Sequence, residues 1–414
     1  MRASRVILSA ATDLADGAIR PPAAPRRATH LRRASATLCA LLLPFALLAA
    51  ACNSGGSGGA TPTPVPATLP APSATEATAS TPAAPTAAAT LPVPPPTTTP
   101  PQPPPPSGPS ITIAAVGDVS LAREVVSRME QNGPAYPFAL VTTLLDADIT
   151  IANLEGALTE RGDPWPKGYN FRTPPRFASG LSVFDLVSLA NNHAMDYGAI
   201  GLLDTIDALH AAGVRYAGAG ANIAEARPPV IIEANGLRVA FLAYAATPDE
   251  YGGFQILAWG AGPETPGLLI GSVEAIDADV RAARPLADFV VVVVHAGTEY
   301  RNPPDATQVA LANAALAAGA DAYIGHHAHV VQPVEQRGSQ LIAWGLGNFV
   351  FDLDEVDLAN IPVPRVSLVL KLTLTKGAGV TAWEALPVTI DDTQDRPRPA
   401  TADEAATLRD LIGG

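Results

Sequence analysis

Between residues 111 and 348 six short apolar runs recur, each ending in residues able to bind ions or move protons. Residues 111–116 lead into Gly117 and Asp118, 149–152 into Asn153, Leu154 and Glu155, and 186–190 into Asn191, Asn192 and His193. Residues 289–294 lead into His295, 322–324 into Gly325, His326 and His327, and 341–344 into Gly345, Leu346, Gly347 and Asn348. Near-continuous Val/Ile/Leu runs of this length are expected of strands buried on both faces. Between them lie helical patterns. Ile200, Leu203, Ile206 and Leu209 recur at helix spacing before Gly213, and Asp305 is placed to cap an Ala/Leu-rich stretch that closes at Gly319. Residues 136–145 and 273–283 carry weaker helical patterns. Strands alternating with helices predict an α/β fold. Val366, Leu368, Leu370, Leu372 and Leu374 alternate along a further strand, and residues 380–388 form another. The two predict an antiparallel pair at a sheet edge, with the turn starting at Lys376-Gly377.

In open α/β sheets, ligands bind beyond the carboxyl ends of the strands. The polar residues above follow at least five different strands, so distant segments are expected to converge on one rim. Each has a bland reading when taken singly: Asp118 as a helix cap, Glu155 as a turn acid, Asn192 in a turn, His295 in the core. Their recurrence in one position type favours a shared site.

Three of the seven histidines, His326, His327 and His329, fall within four positions. Burying several imidazoles is costly unless each has a partner, and a divalent cation is the simplest one. On an extended segment His327 and His329 point the same way while His326 faces away. Asp118 is a carboxylate ligand candidate, Glu155 can bridge two ions, Asn192 offers a neutral oxygen, and His295 ends the most hydrophobic strand. His193 is placed to donate a proton to a leaving group, with Asp196 close enough to orient its ring. Arg172, Glu299 and Asn348 are candidates for touching substrate.

Composition divides the chain. Residues 53–110 are Pro-, Thr- and Ala-rich with Glu76 as their one charge, too little apolar surface to fold, and are expected to form a disordered, extended spacer. Residues 1–52 read as a targeting segment: a basic region at Arg26, Arg27, Arg32 and Arg33, a short apolar run broken by Pro44, then Ala49-Ala50-Ala51-Cys52. The basic region begins late, which suggests initiation downstream of Met1. The small residues before Cys52 resemble a bacterial lipoprotein cleavage site, with Cys52 the lipidated residue; simple cleavage near Ala51 is the alternative. The folded domain is expected over 111–390, and 391–414 as a tail with a short helix. Cys39 and Cys52 are the only cysteines, so a metal in the domain needs His, Asp, Glu and Asn ligands. Residues 1–51 hold seven Arg and two Asp, which leaves −18 of the chain's −13 on the remainder. An acidic exported domain is a poor nucleic-acid binder.

The ordered set Gly117-Asp118, Asn153-Leu154-Glu155, Asn191-Asn192-His193-Ala194-Met195-Asp196, His295-Ala296-Gly297-Thr298-Glu299-Tyr300, Gly325-His326-His327-Ala328-His329 and Gly347-Asn348-Phe349 resembles the CapA family of capsule, or poly-gamma-glutamate, synthesis proteins. That family is similar in turn to the calcineurin-like metallophosphoesterases. The resemblance implies a four-layer α/β/β/α sandwich with a metal centre at the sheet rim. It implies Asp118, Glu155, Asn192, His295, His327 and His329 as ligands of one or two divalent ions (Mn, Fe or Zn), and His193 as the proton donor. This chain departs from the metallophosphoesterase pattern in having Val119-Ser120 where that pattern places a histidine two residues after the Asp, so one first-ion ligand is missing. It also has Glu155 at the bridging position and Ala328 and Ala296 in the histidine motifs. The expected function is a metal-dependent hydrolase or transferase step in surface-polymer synthesis, with the protein lipid-anchored at the outer face of the cytoplasmic membrane. Its partners would be a membrane polymer-synthase complex and an anionic polymer or phosphate ester. A non-catalytic scaffold or polymer-binding module and an extracellular phosphoesterase are the alternatives.

Overall fold

The computed structural model describes residues 108–250, 253–360 and 365–413. The targeting segment, Cys52 and the spacer as far as residue 107 lie outside the described residues. No described helix is long and apolar enough to cross a membrane.

Two sheets form the centre. In the first, Ser110–Val119 lies beside Ile149–Leu154, followed by Leu186–Ser188 and Arg215–Ala217, all parallel, and the short strand Asn348–Val350 also joins Ser110–Val119 in parallel. On its other side Ser110–Val119 pairs antiparallel with Val366–Thr375, which pairs with Gly379–Ile390, which pairs with Pro397–Pro399. The expected pair over 365–388 therefore forms, but it is not the edge. The chain beyond Ile390 adds one more strand and a helix, Ala402–Ile412, capped by Thr401 and Glu404.

The second sheet runs in the order Val334–Arg337, Gln340–Ala343, Ala322–His326, Phe289–Ala296, Leu237–Ala246, Val230–Ala234. The sequence reading did not include Leu237–Ala246, which is central here. Its hairpin turns at Asn235 and Gly236, both at positive φ (54° and 71°), as a two-residue Asn-Gly loop requires.

Period-two alternation on Phe289–Ala296 sets the layering. Val291 and Val293 face the first sheet in the larger core, while Val290, Val292 and Val294 face Ile276, Val280, Leu311 and Ala315 of helices Val273–Ala283 and Ala306–Ala318. Each such buried valine is worth roughly 1.5–3 kcal/mol. Helix Gly198–Ala212 packs toward the first sheet through Leu202, Thr205, Ile206 and Leu209, whereas Ile200 of the expected stripe is exposed. The result is the four-layer α/β/β/α sandwich. Asp305 caps its helix with Gln308 reciprocating, and Gly319 closes it at φ 108°. Residues 136–145 form only a 3-10 turn, Tyr136–Phe138, followed by further turns.

Two strand ends approach neighbouring backbone too closely for any side chain. A Cβ on Gly117 would sit 2.0 Å from the Gly347 oxygen, and one on Gly325 would sit 1.9 Å from the Trp344 oxygen. Gly325→Ala is expected to destabilise the chain by about 3 kcal/mol or more through forced strand separation. Urea unfolding midpoints check this, with Gly168→Ala, where a Cβ meets nothing within 4 Å, as the neutral control.

Candidate metal centre

The two glycine approaches fix where the next residues stand. In the first sheet Asp118 pairs in register with Asn153 on one side and Asn348 on the other. In the second, His295 pairs with His326. These ends meet at one rim, and the side chains of Asp118, Asn153, Glu155, Asn192, His295, His326 and His327 are all buried.

Asp118 Oδ1 accepts hydrogen bonds from Asn153 (2.9 Å) and from His326 Nδ1 (2.9 Å), and its Oδ2 accepts the His327 backbone N–H (3.3 Å). Burial alone would raise its carboxyl, but the His326 hydrogen bond and the neighbouring imidazoles hold it below the ordinary range. Asn153 also donates to Glu155 Oε2 (3.3 Å) and to His295 Nδ1 (3.2 Å), and Asn191 donates to Asn153 Oδ1 (3.0 Å). His295 Nε2 donates to Asn192 Oδ1 (2.9 Å). One neutral tautomer satisfies both contacts of His295, with its lone pair on the Nδ1 that faces Asp118 at 4.0 Å. Burial, reinforced by the other histidines, keeps this ring neutral.

Glu155 Oε1 has no hydrogen-bond partner and faces His329 Nε2 at 3.7 Å and His193 Nε2 at 3.9 Å. Burial first, and the Asp118 charge second, push the Glu155 carboxyl well above its ordinary range. Burial lowers His329, yet Glu155 and Asp118 outweigh it and hold the ring at about 9. Burial and the charge of His329 drive His327 down to about 3, and its Nδ1 has no partner. His329 Nδ1 donates to Asn348 Oδ1 (2.8 Å), so Asn348 orients an imidazole, and its own amide nitrogen is unpartnered.

The donor set fits a divalent cation. Among the described residues, two groups each bring three donors within 4.8 Å of one another: Asp118, Glu155 and His295, and Glu299, His327 and His329. Two buried acceptors, Glu155 Oε1 and His327 Nδ1, are unpartnered, and N/O ligands of this mix suit Mn, Fe or Zn.

Beside the cluster, His193 Nδ1 donates to Asp196 Oδ2 (2.8 Å), and its ring stacks on Phe171 with centroids 4.2 Å apart. Its Nε2 is the free nitrogen. Burial lowers this imidazole, and Asp196 partly offsets that. Behind the pair lies Lys167, whose side chain is fully buried. It sits 3.0 Å from Asp196 Oδ1, donates to the Asn192 carbonyl, and lies 5.1 Å from the ring centroids of both Phe254 and Trp259. Asn192 in turn donates to Glu250 (2.7 Å).

The structure thus gathers Asp118, Glu155, Asn192, His193, Asp196, His295, His327, His329 and Asn348, with Glu299 on the loop beside them. Cys52 is outside the described residues. Arg172 is not brought to the cluster: its guanidinium donates to the Gly162 carbonyl (3.0 Å) and lies over the Tyr197 ring. The arginine that lines the cavity over His193 and His329 is Arg123, paired with Asp352 (3.4 Å) and Asp354 (3.3 Å). His326 does not face away. The strand ends there, and His327 and His329 take positive φ (87° and 55°), so strand alternation does not continue and His326 turns to Asp118. Lys167, Asn153 and Glu250 were missed as site residues. Asn153 was legible at a strand end, whereas nothing local marks a lysine in a Pro/Gly-rich loop.

Fold and site together define a four-layer α/β/β/α sandwich with a buried Asp/Glu/Asn/His cluster at its strand rim. The chain belongs to the family described as bacterial capsule synthesis protein PGA_cap, which residues 112–353 match. It is 30% identical over 312 residues to the capsule biosynthesis protein CapA of Bacillus anthracis, covering 73% of this chain and 72% of that one. It is 32% identical over 248 residues to the PGA biosynthesis protein CapA of Bacillus subtilis, covering 58% of this chain and 63% of that one. A probable polyglutamine synthesis accessory protein of Mycobacterium tuberculosis is 29% identical over 58% of this chain and 67% of its own length. Among solved structures, a hypothetical protein of Thermus thermophilus superposes with TM-score 0.42 at 18% identity, over 67% of this chain and 98% of its own. A 5'-nucleotidase precursor of the same organism gives 0.39 at 14%, over 73% and 58%.

Proposed function

We propose that this chain is an exported, lipid-anchored protein that carries out a metal-assisted hydrolysis or transfer step in making a capsule-type polymer such as poly-gamma-glutamate. The carrying observation is the convergence of buried donors from both sheets, with Glu155 Oε1 and His327 Nδ1 unpartnered at its centre. Family membership supports the polymer role, and the Ala-rich run before Cys52 followed by the Pro/Thr-rich stretch supports tethering at the membrane surface, near a polymer-synthase complex.

Asp118, Glu155, Asn192, His295, His327 and His329 would hold the ions. One or two bound divalent ions supply Lewis acidity toward an ester, amide or phosphoryl oxygen and an activated water. Asp196, braced by Lys167, keeps the proton of His193 on Nδ1, which leaves Nε2 to give or take a proton at the leaving group. Asn348 fixes the His329 ring, and Arg123 offers a cation at the cavity wall to an anionic substrate.

His193→Ala in the full-length protein is expected to lower turnover by about 10²–10⁴-fold with metal content unchanged. Assays on a phosphodiester, a phosphomonoester and a γ-glutamyl amide, with elemental analysis of each preparation, check this. Turnover confined to the phosphomonoester would favour an extracellular phosphatase. A second reading, a non-catalytic assembly or polymer-binding module, draws on the hydrogen bonds from Asn153 and His326 that already engage Asp118 Oδ1. No turnover on any substrate would favour that reading.

A further inference from the structure

The geometry points to Glu299 as the carboxylate ligand of a second cation, which it holds together with His327 and His329, beside a first cation served by Asp118, Glu155 and His295. The inference rests on the metal reading above and extends it to this residue. Glu299 approaches the rim from the second sheet. It lies just past the end of Phe289–Ala296, and its carboxylate comes within 4.8 Å of a ring nitrogen of His327 and one of His329.

His329 Nδ1 is held by Asn348, while the other two groups have no such side-chain partner. Among the described residues Glu299 makes no side-chain hydrogen bond or ion pair, and His327 Nδ1, on a residue 1% exposed, has no partner. The two donor groups adjoin through His329, whose Nδ1 is 3.6 Å from Asp118 Oδ2 and whose Nε2 is 3.7 Å from Glu155 Oε1. The chain around the second group is held in conformations that L side chains rarely adopt. Tyr300, His327 and His329 have φ of 61°, 87° and 55°, and a Cβ on Gly297 would meet the Gln308 side chain at 2.6 Å. Such geometry is strained and persists where the surroundings fix it. Charge argues the same way. Asp118 and Glu155 bring two carboxylates to the buried cluster, and Glu299 adds a third at its edge. At the cavity mouth, it can do so from the loop.

The test counts ions in full-length protein loaded with Mn²⁺ alone, by elemental analysis and by electron paramagnetic resonance. Wild type is expected to hold two ions per chain with the spectrum of a coupled pair. Glu299→Gln, the same size without the charge, is expected to hold one, with the signal of an isolated ion and an unchanged circular dichroism spectrum. Glu299→Ala should match it. Two ions retained in both variants, or only one ion in wild type, would overturn the role of Glu299 while leaving a metal centre in place. No bound ion in wild type would overturn both.

Discussion

Replacing Lys167 with methionine is expected to destabilise the fold by about 3–5 kcal/mol, the cost of breaking a buried ion pair from one side. The ammonium lies against Asp196 Oδ1, which has no hydrogen-bond partner and whose side chain is fully buried. Methionine fits the apolar space near Phe254 and Trp259 but leaves that oxygen's charge uncompensated. At about 2–4 °C per kcal/mol the thermal midpoint should fall by roughly ten degrees. The companion Lys167→Met/Asp196→Asn, which removes both charges, should recover part of the loss, and the four-variant cycle reads the coupling. A loss under about 1 kcal/mol would mean that water or another cation reaches Asp196 and that the pair is not buried in solution.

Withdrawing divalent ions is the second large effect. Asp118 and Glu155 are buried side by side, and burial first, with the Asp118 charge second, pushes the Glu155 carboxyl up. A cation that binds only the folded chain stabilises it by about 2.7 kcal/mol at a hundred times its Kd and about 4.1 at a thousand times. Thermal midpoints with excess EDTA should therefore fall below those with added Mn²⁺ by several degrees, and Asp118→Asn should shrink the difference. Identical midpoints under both conditions would remove the cation from the account of this cluster.

The strands and their carboxyl-end ligands were legible because each run is short, apolar and closed by a chemically distinctive residue. Leu237–Ala246 was not, because it ends in Ala245, Ala246 and Thr247, with nothing to draw notice, although the Asn-Gly turn before it was there to be read. His193 and Asp196 were readable as a pair because they stand three positions apart; in the structure a turn brings them to 2.8 Å. Lys167 and Arg123 were not, because their roles depend on Trp259 and Asp352, far along the chain. His326 was misread because strand alternation was carried past the strand's end as far as His329, into backbone whose φ is positive at His327 and His329. That two sheets stack, and which rims align, came from the resemblance and not from any pattern in the residues.

The cluster draws Asp118, Asn153, Glu155 and His193 from one half of the sandwich and His295, His326, His327 and His329 from the other. Sliding one half past the other by a single residue, about 3.3 Å along a strand, would pull every cross-pair out of reach. The centre is therefore a gauge of interlayer alignment, complete only once both halves have docked in their final offset. A coordinated ion with a spectroscopic signal would report that last step of assembly, and it would stay silent for any collapsed chain whose layers are misaligned.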